Sequence, residues 1–89
     1  MTMNITTIQR AIDKHAAISG PVTFTVGERD GDGFSLIASY DQALMLDDEP
    51  WTKFGGDLIL ADIGADRYDG GMDAADQHGE VQQWAIIRP

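Results

Sequence analysis

Six acidic side chains recur through the second half of the chain, at Asp62, Asp66, Asp69, Asp73, Asp76 and Glu80, spaced 4, 3, 4, 3 and 4 residues apart. Residues three and four apart are neighbours on a helix, so this rhythm would line all six carboxylates along one face. Arg67 is the one base among them. Carboxylates in a row can hold a divalent cation, act as general acids and bases, or meet Lys and Arg side chains of a partner. Paired-carboxylate catalysis needs one acid in an apolar pocket with a raised pKa, which no sequence displays. Asp47, Asp48 and Glu49 form a second acidic group that could bind a divalent cation, although adjacent acids before a proline such as Pro50 more often mark a solvated turn.

Other residue types with chemical potential lead elsewhere. Glu28, Asp30, Asp32 and Gly33 alternate as in a calcium-binding EF-hand loop. The first ligand position is Glu, however, the twelfth is Ser39 where a bidentate Glu is required, and the flanks read as strands. A hairpin turn is the expectation there. His15 and His78 are the only side chains that ordinarily titrate near neutrality. His15 falls on the inner side of a helix among alanines, a half-buried packing position. His78 precedes Gly79, where a cation would favour the C-terminal end of a helix dipole. With Asp73 and Asp76 it would make only a weak metal site. The chain has no GxxxxGKS/T phosphate loop, GxSxG elbow, HExxH or CxxC motif, and no cysteine at all. Disulfides and thiolate chemistry are therefore excluded. The expectation is a protein that is not an enzyme and that needs neither cofactor nor metal.

Charge narrows the partners. The net charge is −9, and residues 41–80 account for all of it, with eleven acids against Lys53 and Arg67. A one-sided negative field attracts basic surfaces and repels nucleic acid and anionic membranes, while solubility is the plainer use of the same charge. Trp51 and Phe54 sit in a loop punctuated by proline and glycine and ringed by acids, the usual make-up of a binding hot spot. In a chain this small, most of Trp51, Phe54, Tyr68, Met72 and Trp84 are nonetheless expected in the core. The candidate partner-binding set is Asp47, Asp48, Glu49, Trp51, Phe54, Asp62, Asp66, Asp69, Asp73, Asp76 and Glu80. No apolar run reaches the roughly 18–20 residues of a membrane span, and the first residues lack a signal-peptide layout, so the expected location is the cytoplasm.

The elements that must position these residues fit one domain over 1–89, burying roughly 60–65% of the unfolded chain's surface. A helix is predicted from about Thr6 to Ser19, with Thr6 and Gln9 as a capping box, Ile8, Ala11, Ile12, His15 and Ala16 on one side, and Gly20–Pro21 as its stop. Val22–Val26 and Phe34–Tyr40 alternate with period two and make a hairpin with its tip near Asp30–Gly33. Gln42–Leu46 fits a third strand or one buried helical turn, and a strand is preferred. DDEPWTKFGG reads as a loop or single helical turn capped by Asp48 or Glu49, Asp57–Ile63 as a buried strand, and Val81–Ile87 as the last strand. Gly70 and Gly71 each cost a helix about 1 kcal/mol. The spacing of Tyr68, Met72 and Ala75 would suit one continuous helix over Ala65–His78, but the glycines favour a short helix from Asp73 to His78 behind a loop at Gly64–Gly71. The fold class is α+β, an antiparallel sheet of about four strands with the N-terminal helix packed on it and a short acidic helix near the C-terminus.

In size, charge and lack of catalytic motifs, the whole chain resembles small acidic phage-encoded inhibitors of host defence, the anti-CRISPR proteins and DNA mimics. Neighbouring carboxylates about 5–7 Å apart approach the spacing of successive phosphates. The resemblance implies a guide-RNA- or DNA-binding effector as partner, contacted through its Lys and Arg side chains, and transfers no functional residue. An immunity protein or antitoxin neutralising a basic nuclease toxin would use the same face, and an acidic accessory module without inhibitory role would use none.

Overall fold

Asn4, in extended conformation, accepts the Thr7 amide at 2.8 Å and starts helix α1 (Ile5–Lys14). The cap is therefore Asn4 and not Thr6, in keeping with asparagine's equal or better capping strength. Ile8, Ala11 and Ile12 are the buried side of α1. The helix breaks at His15, resumes for one turn as α2 (Ala16–Ser19), and stops at Gly20 with φ +49°. The computed structural model describes residues 4–46 and 49–89.

Strands β1 (Thr23–Asp30) and β2 (Gly33–Asp41) form the expected hairpin, its two-residue loop made possible by Gly31 at φ +60°. Strands β3 (Asp66–Asp73) and β4 (Glu80–Arg88) complete an antiparallel sheet of order β1-β2-β4-β3. One face of it carries Phe24, Leu36, Ala38, Tyr40, Val81, Ala85 and Ile87, all buried. These side chains meet Ile8, Ile12, Trp51, Ile59 and Ile63 from the helices in a single core. The α+β class and the helix-on-sheet arrangement thus hold.

Three predicted elements are corrected. Gln42–Leu46 is a 3₁₀ turn and not a strand. Asp41 Oδ1 accepts the Ala43 amide at 2.8 Å, a local bond that turns the backbone out of the sheet. The run 57–63 belongs to a helix, α4 (Gly56–Ile63), following the one-turn α3 (Pro50–Lys53). Gly55 and Gly64 bracket α4 in the left-handed region, and Ile59, Leu60 and Ile63 are buried while Asp57, Leu58, Ala61 and Asp62 are not. A short apolar run has no period of its own that separates helix from strand, and these flanking glycines decide it. Glu49 occupies the position before α3 without a side-chain capping bond.

The acidic segment is likewise neither loop nor helix over most of its length. Residues 66–73 are the edge strand β3, and 74–79 form a turn in which Asp76 Oδ1 accepts the amides of His78 (2.8 Å) and Glu80 (3.0 Å). His78 therefore caps no helix. Gly70 and Gly71, which count against a helix, are needed here for close approach to β4. A Cβ on Gly70 would lie 2.8 Å from the Trp84 carbonyl oxygen.

Candidate functional site

Side chains alternate across a strand, so the residues between the core positions project together from the opposite face of the sheet. The register lines them up in rows. Thr25, Ile37, Trp84 and Gly71 cross all four strands in one row, and Thr23, Ser39, Gln82 and Asp73 in the next. Asp41 and Glu80 face each other at the end of β2 and β4, and Ser35 faces Ile86 on the other side of Trp84. Ile37, Trp84 and Ile86 are only half-buried. The Trp84 indole rests against Gly71, where a Cβ would stand 2.9 Å from Cζ2.

Acids border this face. Asp66, Asp69, Asp73 and Glu80 are exposed, and among the described residues none of them has an ion-pair partner. Asp41 and Glu80 are directly opposite each other across the ladder, an arrangement in which like charges repel at about 5 Å. With Thr23, Ser39 and His78 they line a cleft of about 360 Å³. The nearby bases point elsewhere. Arg88 stands opposite Asp66 in register, yet its guanidinium reaches Asp32 at 3.2 Å and Asp30 at 3.7 Å on the hairpin tip and lies 5.5 Å from the Tyr68 ring centre. Arg67 pairs with Glu49 at 3.1 Å.

The six-carboxylate ladder therefore divides. Asp66, Asp69, Asp73 and Glu80 remain together along β3 and the start of β4, while Asp76 is occupied by its own loop. Asp62 lies apart on α4, 2.6 Å from His15 Nε2 and 3.4 Å from Lys14 Nζ. The hydrogen bond from His15 is the main cause that holds the Asp62 carboxyl below the usual carboxylate range, with Lys14 adding to it against a smaller desolvation effect. This contact ties the end of α1 to α4.

Glu49, itself exposed, is the hub of a second polar network. It accepts from Arg67 Nη1 at 3.1 Å and from Gln83 Nε2 at 3.3 Å, and Gln83 Oε1 accepts the Tyr40 hydroxyl at 2.9 Å. Burial, and then the charge of Glu49, push the Tyr40 hydroxyl pKa up. The Arg67 guanidinium lies 5.1 Å over the Trp51 ring, and Trp51 meets Phe24 edge-on with centroids 5.4 Å apart. Trp51 has no exposed surface at all, which corrects its assignment as a surface anchor. Phe54 is half-buried against the core with the Lys53 ammonium 5.8 Å from its ring centre. Asp47 and Asp48 lie outside the described residues.

The candidate set omits two aromatic residues that reach the surface, the half-buried Trp84 and the exposed Tyr68, and Tyr68 and Met72 both lie outside the core in which they are expected. The signal of Trp84 was legible in VQQWAII, which places Trp84 and Ile86 on the face of the strand opposite Val81, Ala85 and Ile87. Among the described residues no three His, Asp or Glu side chains are grouped to hold a metal, and no helix is long and apolar enough to cross a membrane. No protein-family model, no curated protein and no solved structure matches this chain.

Proposed function

We propose that this protein is a small acidic interaction protein of the cytoplasm that occupies and blocks a basic, nucleic-acid-binding surface of another protein. The observation that carries this reading is the margin formed by Asp66, Asp69, Asp73 and Glu80, exposed and without ion pairs among the described residues, and completed by the cross-strand pair Asp41–Glu80. Carboxylates that face one another with no base between them repel, and the repulsion is relieved when Lys or Arg side chains arrive. The same field disfavours nucleic acid and anionic membranes as direct ligands. No cofactor enters this function, and the reading is not enzymatic.

Capture from a lysate of the native host tests it. A partner held at low salt is released at high salt, because exposed charges more than about 10 Å apart are screened at 0.1 M. An Asp66→Lys, Asp69→Lys, Asp73→Lys variant fails to capture it at either salt. A nucleic-acid-binding effector as the captured protein supports the inhibitor reading, and a nuclease toxin replaces it with an immunity protein. A partner indifferent to both salt and substitution contradicts both and leaves solubility as the use of the acids.

A further inference from the structure

The helices cover one face of the sheet, and the other carries an apolar centre where an antiparallel sheet facing water is ordinarily polar. Ile37 and Trp84 are directly paired across β2 and β4, with Ile86 next along β4 on the same face. Glycines flank the pair on both sides. Gly71 underlies the Trp84 indole, and a Cβ on Gly27 would approach Ile37 Cδ1 to 3.2 Å. The two large side chains can therefore spread sideways over the edge strands. Around them the charge is uneven: Asp66 and Asp73 on β3 and the Asp41–Glu80 pair at one end are acidic, Arg88 beside Asp66 at the other end is paired with Asp32 and Asp30, and Thr23 and Thr25 on β1 are neutral.

We propose that this open face docks a basic amphipathic helix of the partner protein, its apolar stripe on Ile37, Trp84 and Ile86 and its Lys or Arg side chains over β3 and in the cleft between Asp41 and Glu80. This rests on the basic-partner reading above and adds to it an anchor and an orientation. A helix about 10–12 Å across, seated over two strands about 4.8 Å apart, overhangs the strand on either side. Its flank above β3 meets carboxylates and its flank above β1 meets threonines, so the matching helix is basic on one flank only. Aromatic side chains on open sheets also stack nucleic-acid bases, but here the phosphates would lie against Asp66, Asp73, Glu80 and Asp41. A second copy of the chain would bring two charges of −9 face to face.

Titration of the full chain, followed by amide and indole NMR shifts, decides the matter with three probes. The first is a helical peptide of about 15 residues with leucines on one face and lysines along one flank. The second has the same lysines with serine for leucine, and the third is a single-stranded oligothymidylate. The leucine peptide is expected to shift Ile37, Trp84 and Ile86 and to bind at least about tenfold tighter than the serine peptide. Ile37→Ser and Ile86→Ser each narrow that ratio; should either unfold, the shifts in the unsubstituted chain decide alone. Equal affinity for the two peptides, with shifts confined to the acidic margin, overturns the docking face and leaves the charge reading standing. Binding of neither peptide overturns both. Oligonucleotide shifts on Trp84, or concentration-dependent shifts of this face without any probe, assign it to nucleic acid or to a second copy and overturn the proposal.

Discussion

Trp51 combines the largest fully buried side chain with a buried indole N–H that has no hydrogen-bond partner among the described residues. Two terms of opposite sign follow. An unsatisfied buried donor costs about 1–3 kcal/mol. The Trp51→Phe substitution removes that donor, keeps a ring against Phe24, and forfeits the apolar contacts of about three heavy atoms, worth roughly 2 kcal/mol at about 0.8 kcal/mol per methylene. The net change is expected within about 1 kcal/mol of zero. The Trp51→Ala variant loses the whole side chain and leaves a cavity, a cost of about 3–5 kcal/mol. That is a large share of the roughly 4–13 kcal/mol expected of a domain this size, and it lowers Tm by about 20 °C. Urea unfolding followed by circular dichroism measures both. A Trp51→Phe cost above about 2.5 kcal/mol, or equal to that of Trp51→Ala, would refute the claim that the orphan N–H offsets the ring it belongs to.

Further outcomes follow from the same structure. Gly56→Ala improves helix propensity by about 1 kcal/mol but sets a Cβ 2.5 Å from Trp51 Nε1 and 2.7 Å from the Trp51 carbonyl. Overpacking against that buried residue is expected to win, for a net loss of about 1–2 kcal/mol in urea unfolding, and a stabilised variant would contradict it. Gly71→Val displaces the Trp84 indole from the sheet, so Trp84 fluorescence changes while far-UV circular dichroism does not. Asp62 has a lowered native pKa, so its contribution is present above the unfolded carboxylate value near about 3.9 and is lost as pH falls through the native value. The stability gap between wild type and Asp62→Asn is therefore open at neutral pH and closes in acid, and a gap that persists at the lowest pH would count against the His15 contact. The Asp66→Lys, Asp69→Lys, Asp73→Lys variant should unfold within about 0.5 kcal/mol per site of wild type, since all three side chains are exposed.

The helix α1, the β1–β2 hairpin and the last strand were legible because each carries a clean period of its own, 3.6 for Ile8, Ala11 and Ile12 and 2 for Phe34, Leu36, Ala38 and Tyr40. The acidic run departs from the expected loop and short helix for a physical reason. Its 4-3-4-3-4 spacing is a helical rhythm, but β3 lies at the sheet edge with almost every residue exposed, so no buried face imposes a period of two. Gly70 and Gly71 carried the contrary information as breakers of a helix, and their purpose, close approach to Trp84, exists only once β4 is beside them. Helix α4 was hidden because Leu58 to Leu60 is apolar without a break. At the candidate site, composition conveyed the charge of residues 41–80 and the exposure of Asp66, Asp69 and Asp73. It could not convey that Asp62 reaches back to His15, that Glu49 is held by Arg67 and Gln83, or that Asp41 and Glu80 stand opposite each other, because each depends on pairing between distant segments.

The central claim is that the acidic face and a nucleic acid compete for one surface of the partner. Once the partner is captured, its binding to its own nucleic acid is measured by fluorescence anisotropy while this protein is titrated in. Complete displacement by wild type is expected, and none at the same concentrations by the Asp66→Lys, Asp69→Lys, Asp73→Lys variant. A ternary complex, with the nucleic acid still bound at saturating protein, would contradict it.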